Sequence, residues 1–167
     1  MPEPTTGFPY TIIRPGDCLL YRPDGWVGWL IVLRTFTGEP VSHVEIYDGD
    51  GYALASRDGI GVNRYLLRRH KLAHILRPRG AVDLARGRAW FAQYARGQRY
   101  DFQALWRYLW PGALDEDRDR MICSALAVRY YRACGFQPFA PDADADLVSP
   151  ASFLQSPAFV HLWRDKE

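Results

Sequence analysis

The segment around Cys123 limits the possible folds more than any other part of the chain. Cys123 follows a polar run and precedes the apolar run 124–128, which has the character of a helix ending before Gly135. Free backbone N–H groups and the positive end of the helix dipole lie in the first turn of a helix, and they favour thiolate over thiol. The position therefore predicts a nucleophilic cysteine.

A histidine upstream can supply the base that such a cysteine requires. The run 41–47 has the alternation of a strand and carries His43. A histidine that accepts the thiol proton is the usual partner of a nucleophilic cysteine. Each residue alone has a plainer explanation, a small buried cysteine or a packed histidine. Together, the two residues favour a catalytic site with a cysteine nucleophile and a histidine base.

A hairpin turn after this strand predicts which side chain orients the histidine. With the turn at 48–51 and its flanking tyrosines paired, His43 lies opposite Ser56, with about 5 Å between Cβ atoms. We therefore expect the Ser56 hydroxyl to hold the ring. Glu45 is the alternative, because it lies two residues from His43 on the same face of the strand. A slip of one residue in the turn would move Ser56 to the other face.

The remaining patterns predict an α+β fold, with an antiparallel sheet packed against the cysteine-bearing helix. Residues 1–13 are expected to form an N-terminal extension, and 14–167 a single domain. Further predicted strands are 18–21, 59–63, 73–76 and 159–163, and further predicted helices are 24–33, 82–96 and 101–110.

Composition excludes several classes of function. Lys+Arg total 21 against 19 Asp+Glu, a net charge of +2 that indicates no nucleic-acid partner. Three cysteines, an odd number, fit free thiols in a reducing compartment. The basic stretch with His70 and His74 lacks the cysteine or carboxylate company of a zinc site, so we expect no metal and no cofactor.

The sequence also bears on location. Its first residues have neither a basic nor an apolar signal region, which predicts a cytoplasmic protein as encoded. The most apolar stretch, 26–33, is too short to span a bilayer, for which about 20 residues are needed. Action outside the cytoplasm would require delivery by lysis, a phage particle or a secretion system.

A series of short motifs in a fixed order resembles the permuted NlpC/P60 papain-like cysteine hydrolases of the YiiX/YaeF-like group. The resemblance covers about residues 14–163 and rests on Pro15-Gly16-Asp17, Ser42-His43-Val44, Asp48-Gly49-Asp50-Gly51, Gly61-Val62, Tyr100-Asp101-Phe102, Cys123-Ser124 and Ser149-Pro150. It implies a circularly permuted papain-like fold, in which the histidine precedes the cysteine in the chain. It assigns the nucleophile, base and polar third residue to Cys123, His43 and Ser56.

Three positions depart from the family pattern. Glu45 stands where a glycine is common, Leu54 where a glutamate is frequent, and Ile122 where an aromatic residue often precedes the cysteine. These differences leave nucleophile and base in place and concern the third residue and the substrate pocket.

The expected activity is that of a cysteine peptidase or amidase, which hydrolyses amide bonds through a thioacyl-enzyme. The resemblance implies a cell-wall-type peptide or peptidoglycan fragment as substrate, and the expected substrate-binding residues are Glu45, Arg57 and Asp101. One alternative is a lipid acyltransferase or thioesterase with the same thiol chemistry, with Trp26 and Trp29 among its lipid contacts. The other is a catalytically silent binding or phage-particle component with a buried, inert Cys123. The sequence leaves the oligomeric state open.

Overall fold

Six antiparallel strands form the sheet in the computed structural model of the chain, which describes residues 11–35, 39–100 and 121–165. The strands are β1 Cys18–Tyr21, β2 His43–Gly49, β3 Tyr52–Arg57, β4 Gly61–Leu66, β5 Leu72–Pro78 and β6 Phe159–Arg164. Their order across the sheet is β4-β3-β2-β1-β5-β6. The first strand of the chain thus occupies a central position, between β2 and β5.

Helices frame this sheet. They are α1 Gly25–Thr35, α2 Leu84–Trp90, α3 Cys123–Ala133 and α4 Ser152–Gln155; α2 continues as a π-helical turn, Phe91–Ala95, and a 3₁₀ turn covers Ala145–Leu147. The predicted helix 101–110 lies outside the described residues. The predicted helix 82–96 is confirmed as α2 and its π-helical continuation.

The central strand β1 explains why this part of the sequence is apolar without alternation. All four of its residues are buried, and Leu20 and Leu19 belong to separate apolar clusters. Successive side chains of a strand point to opposite faces, so both faces of β1 must be covered.

Helix α3 packs against β2 and β3 on one face of the sheet, and it also contacts α2. It is buried over most of its length, and the Tyr131 hydroxyl donates to the Gly16 carbonyl at 3.0 Å, just before β1. Rings of Tyr131, Phe136 and Phe159 meet edge to face, with centroids 5.4–5.6 Å apart. These contacts tie the C-terminal half of α3 to β6 and orient the whole helix.

The β2–β3 hairpin differs from the predicted one in its register. Its loop is Asp50-Gly51, both with positive φ, and the strands pair Gly49 with Tyr52 but Tyr47 with Ala53. Asp48 is thus an extra residue in β2, forming a bulge. Its carboxylate accepts from the guanidinium groups of Arg64 and Arg88, which compensates its burial. The predicted pairing of Tyr47 with Tyr52 is therefore wrong by one residue.

Candidate active site

Cys123 is the first residue of α3, as the sequence predicts. The extended residue Ile122 precedes it, and the first N–H groups of a helix have no intrahelical acceptor. The thiol is 3 % exposed. A substrate can therefore reach Sγ only through the surface above the first turn of α3. Residues 101–120, which precede Cys123 in the chain, lie outside the described residues.

His43, the first residue of β2, lies close enough to Cys123 for that side chain to raise the pKa of the imidazole. Its Nε2 lies 3.1 Å from Oε1 of Glu45. Burial by itself would lower the pKa of His43, but the hydrogen bonds and negative charges of Cys123 and Glu45 raise it to about 9. These neighbours favour the imidazolium form of His43.

Glu45 is a fully buried carboxylate, and it sits behind the histidine. The Arg57 guanidinium donates to it in a fork, Nε to Oε1 at 2.9 Å and Nη2 to Oε2 at 3.2 Å. Arg68 Nε lies 3.9 Å from the same Oε1. Burial acts to raise the pKa of Glu45, but His43 and Arg57 outweigh it and hold that pKa below its ordinary value. Glu45 therefore stays ionised and keeps a negative charge against the imidazole.

Ser56 does not occupy the predicted place beside the histidine. The observed register, continued along both strands, sets Ser56 opposite Val44 and not opposite His43. The buried Ser56 hydroxyl donates to the carbonyl oxygen of Met121, two residues before Cys123. His43 therefore contacts Glu45, the alternative orienting residue. The reason is that the bulge at Asp48 shifts the strand pairing by one residue. Ser56 instead anchors the start of α3 on β3.

The structure places two of the predicted substrate-binding residues, Glu45 and Arg57, away from solvent. Glu45 is fully buried, and Arg57 is 9 % exposed, with its charge directed at Glu45 and its guanidinium over the Tyr65 ring, 4.4 Å from the centroid. Neither lines the cleft described below. Their charges support the histidine from behind. The third residue, Asp101, lies outside the described residues.

A cleft of about 280 Å³ opens beside His43. One side comes from α1 and the residues before it, and the other from the loop between β4 and β5, which contributes Arg68, His70 and Lys71. From the sequence we expect no metal at this basic loop, and the sequence assigns the loop no part in the site. The signal that could have found it is its charge, since the run 68–71 holds three cations and a histidine with no acid.

Comparison with known proteins gives a match in structure alone. No family model matches the sequence, and no curated protein matches it. Among solved structures, the fold is similar to that of the metalloprotein YiiX of Escherichia coli O157:H7, with a TM-score of 0.68 and 15% sequence identity. The match covers 91% of this chain and 97% of that chain.

YiiX is described as a metalloprotein, so we asked whether this chain has a group of side chains that could bind a metal ion. Within residues 11–35, 39–100 and 121–165, no group of three histidine, cysteine or carboxylate side chains is placed to hold a metal ion. In the same ranges, no helix has the length and apolar character needed to cross a membrane. What this chain shares with YiiX is therefore its fold, a YiiX-like combination of helices with an antiparallel sheet.

Proposed function

We propose that the chain is a cysteine hydrolase that cleaves amide bonds through a thioacyl-enzyme. The observation that carries the proposal is the position of His43, whose pKa Cys123 raises and whose Nε2 lies 3.1 Å from Oε1 of the buried Glu45. A nucleophile, a base and a group that orients the base are the three parts of such a site. The papain-like architecture is the fold that we assign to it, with residues 14–167 as one domain.

In the first step, the Cys123 thiolate attacks the substrate carbonyl carbon, and an S–C bond forms. The C–N bond then breaks, and the His43 imidazolium gives its proton to the departing amine. Backbone N–H groups at the start of α3 are the natural donors to the oxyanion, and the Cys123 amide is the nearest of them to the reacting carbon.

In the second step, water attacks the thioester carbonyl while His43 accepts a proton from the water. The S–C bond breaks, the acid product leaves, and the thiolate and imidazolium are restored. Glu45 holds the ring through Nε2 and stabilises its positive charge in both steps. The substrate class we assign is a cell-wall-type peptide.

A second candidate, hydrolysis or transfer of a lipid acyl group, uses the same thioacyl chemistry. The observation that favours it is the pair of exposed tryptophans on α1, a helix whose other residues line the cleft beside His43. Incubation of the protein with peptide amides and, separately, with phospholipid vesicles, followed by mass spectrometry of the products, distinguishes the two.

The experiment that tests the thiol chemistry is alkylation by iodoacetamide from about pH 5 to about pH 9, read by mass spectrometry. Cys123 is expected to react fast well below pH 8, and His43→Ala is expected to remove this advantage. Cys18 and Cys134 are internal controls, because burial raises the pKa of both thiols, that of Cys134 to about 11.

The proposal would be overturned if Cys123 is labelled slowly, with the pH dependence of an ordinary thiol, and at the same rate in His43→Ala. The inert thiol of a catalytically silent binding protein would behave in this way, because no histidine would activate it. The same variants therefore decide between the hydrolase and that alternative.

A further inference from the structure

The outer face of α1 carries large apolar side chains that the described residues leave in solvent. Trp26 is 70% exposed, Trp29 55% and Leu33 77%. Their spacing of three and then four residues places them in one stripe along the helix, whereas Gly28 and Val32 are buried on the inner side. Single exposed apolar residues are common, but a contiguous stripe marks an interaction surface.

The loop between β4 and β5 lies next to the start of α1. The Arg22 N–H donates to the Lys71 carbonyl at 2.8 Å, and Lys71 pairs with Asp24. Arg68 and His70 of the same loop line the cleft together with Gly28 of α1. The basic loop therefore lies against the N-terminal end of α1, where the apolar stripe begins with Trp26.

The loop 68–71 carries a net positive charge. The run 68–71 contributes Arg68, Arg69 and Lys71 without an acidic residue. Lys71 pairs with Asp24, Arg68 Nε lies 3.9 Å from Oε1 of Glu45, and Asp58 also lines the cleft. A surface with exposed tryptophans beside excess cations is complementary to anionic lipid headgroups above an acyl layer.

We propose that the α1 stripe, Trp26, Trp29 and Leu33, together with the basic loop 68–71, docks the protein on an anionic lipid bilayer. The indole rings occupy the headgroup level, where an apolar ring and a polar N–H are both accommodated. The net positive charge of the loop lies at the N-terminal end of the same helix and attracts the anionic headgroups. This inference goes beyond the proposed chemistry and does not depend on it.

The test is flotation of the Cys123→Ala protein with two kinds of vesicle, one of phosphatidylcholine and one that also contains about one quarter phosphatidylglycerol. We expect co-flotation with the anionic vesicles, and we expect it to weaken as NaCl rises from about 0.1 M to about 0.5 M. The Trp26→Ala/Trp29→Ala double variant is expected to lose at least about tenfold in vesicle affinity. Ile60→Ala, at a turn residue that is 72% exposed, is the matched control and is expected to bind like its parent.

Circular dichroism and thermal melting of each variant verify that the fold is intact. Absence of flotation with anionic vesicles would overturn the inference, as would equal flotation of the double variant. A dimer that the double variant dissociates, without vesicle binding, would overturn it in favour of a second copy on the stripe. Because Cys123→Ala has no thiol at the site, a failure here leaves the proposed hydrolysis untouched, and failure of the alkylation test leaves docking untouched.

Discussion

Glu45 is the residue whose environment differs most from that of an ordinary carboxylate. It is fully buried, yet it is ionised, because His43 and the Arg57 fork supply hydrogen bonds and opposite charge. A buried carboxylate is tolerated only with such compensation. A negative charge held at this place can stabilise an imidazolium more strongly than a serine hydroxyl can.

Replacement of Glu45 tests this role through pH dependence. The pKa of His43 is raised to about 9, so kcat/KM is expected to fall above about pH 9, where the imidazolium is lost. Glu45→Gln removes a negative charge that favours the imidazolium, so the alkaline limb moves to lower pH. We also expect about a 100-fold loss of kcat/KM at neutral pH.

Ser56→Ala is the control for that experiment, because the Ser56 hydroxyl contacts the Met121 carbonyl and not the imidazole. Its alkaline limb is expected to stay near pH 9. A limb that moved in Ser56→Ala and stayed in Glu45→Gln would contradict the assignment and restore Ser56 as the orienting residue.

At the scale of elements, the contact between α2 and α3 depends on a glycine. A Cβ at Gly87 would overlap Sγ of Cys134 and lie 2.9 Å from Cζ of Tyr130. At Gly87 the backbone of α2 therefore lies too close to α3 and Cys134 for a side chain to fit. The missing side chain gives the space in which the Tyr130 ring and the Cys134 thiol pack.

Gly87→Ala is therefore expected to lower the free energy of unfolding by about 1–3 kcal/mol, as overpacking does. The measurement is urea unfolding followed by circular dichroism. Helix propensity alone predicts the opposite sign, a gain of about 1 kcal/mol. A stabilised variant would therefore disprove the close approach. Ala89→Gly, at an exposed position of α2, controls for propensity and is expected to cost about 1 kcal/mol.

The hairpin shows what sequence reasoning can achieve at this scale. The turn residues predict that β2 and β3 pair, and this is confirmed. The register is not predictable from the turn signal alone, because Asp50-Gly51 closes a two-residue loop and Asp48 bulges. The bulge is stabilised by Arg64 of β4 and Arg88 of α2. A distant side chain thus helps to decide a local pairing.

On the scale of the whole molecule, the sheet order brings the two reactive residues together. Cys123 and His43 are far apart in sequence, and α3 meets β2 only because its buried side chains fill the face of the sheet on that side. A second long-range tie joins Asp17, next to β1, to Arg77 of β5. The Asp17 carboxylate accepts from Arg77 Nε at 2.8 Å and Nη2 at 2.7 Å.

Breaking that tie is expected to destabilise the molecule as a whole. Asp17 is buried, so Asp17→Asn leaves the Arg77 charge without its partner and should lower the free energy of unfolding by about 2–3 kcal/mol. Guanidinium unfolding measures this. Asp24→Asn, which breaks the exposed pair with Lys71, is the control and should cost less than about 1 kcal/mol. Equal effects in the two variants would contradict the importance of burial.

Local sequence is enough to predict the candidate reactive residues and their settings: a cysteine at a helix start, a histidine on a strand, and a hairpin after it. These depend on neighbours in the chain, through helix termini, alternation and turn residues. The contact of Glu45, rather than Ser56, with His43 depends on the three-dimensional fold. The fold also decides that Arg57 faces inward and that a basic loop borders the cleft. A one-residue bulge reverses every side chain along a strand, and burial of a charge depends on partners from other elements.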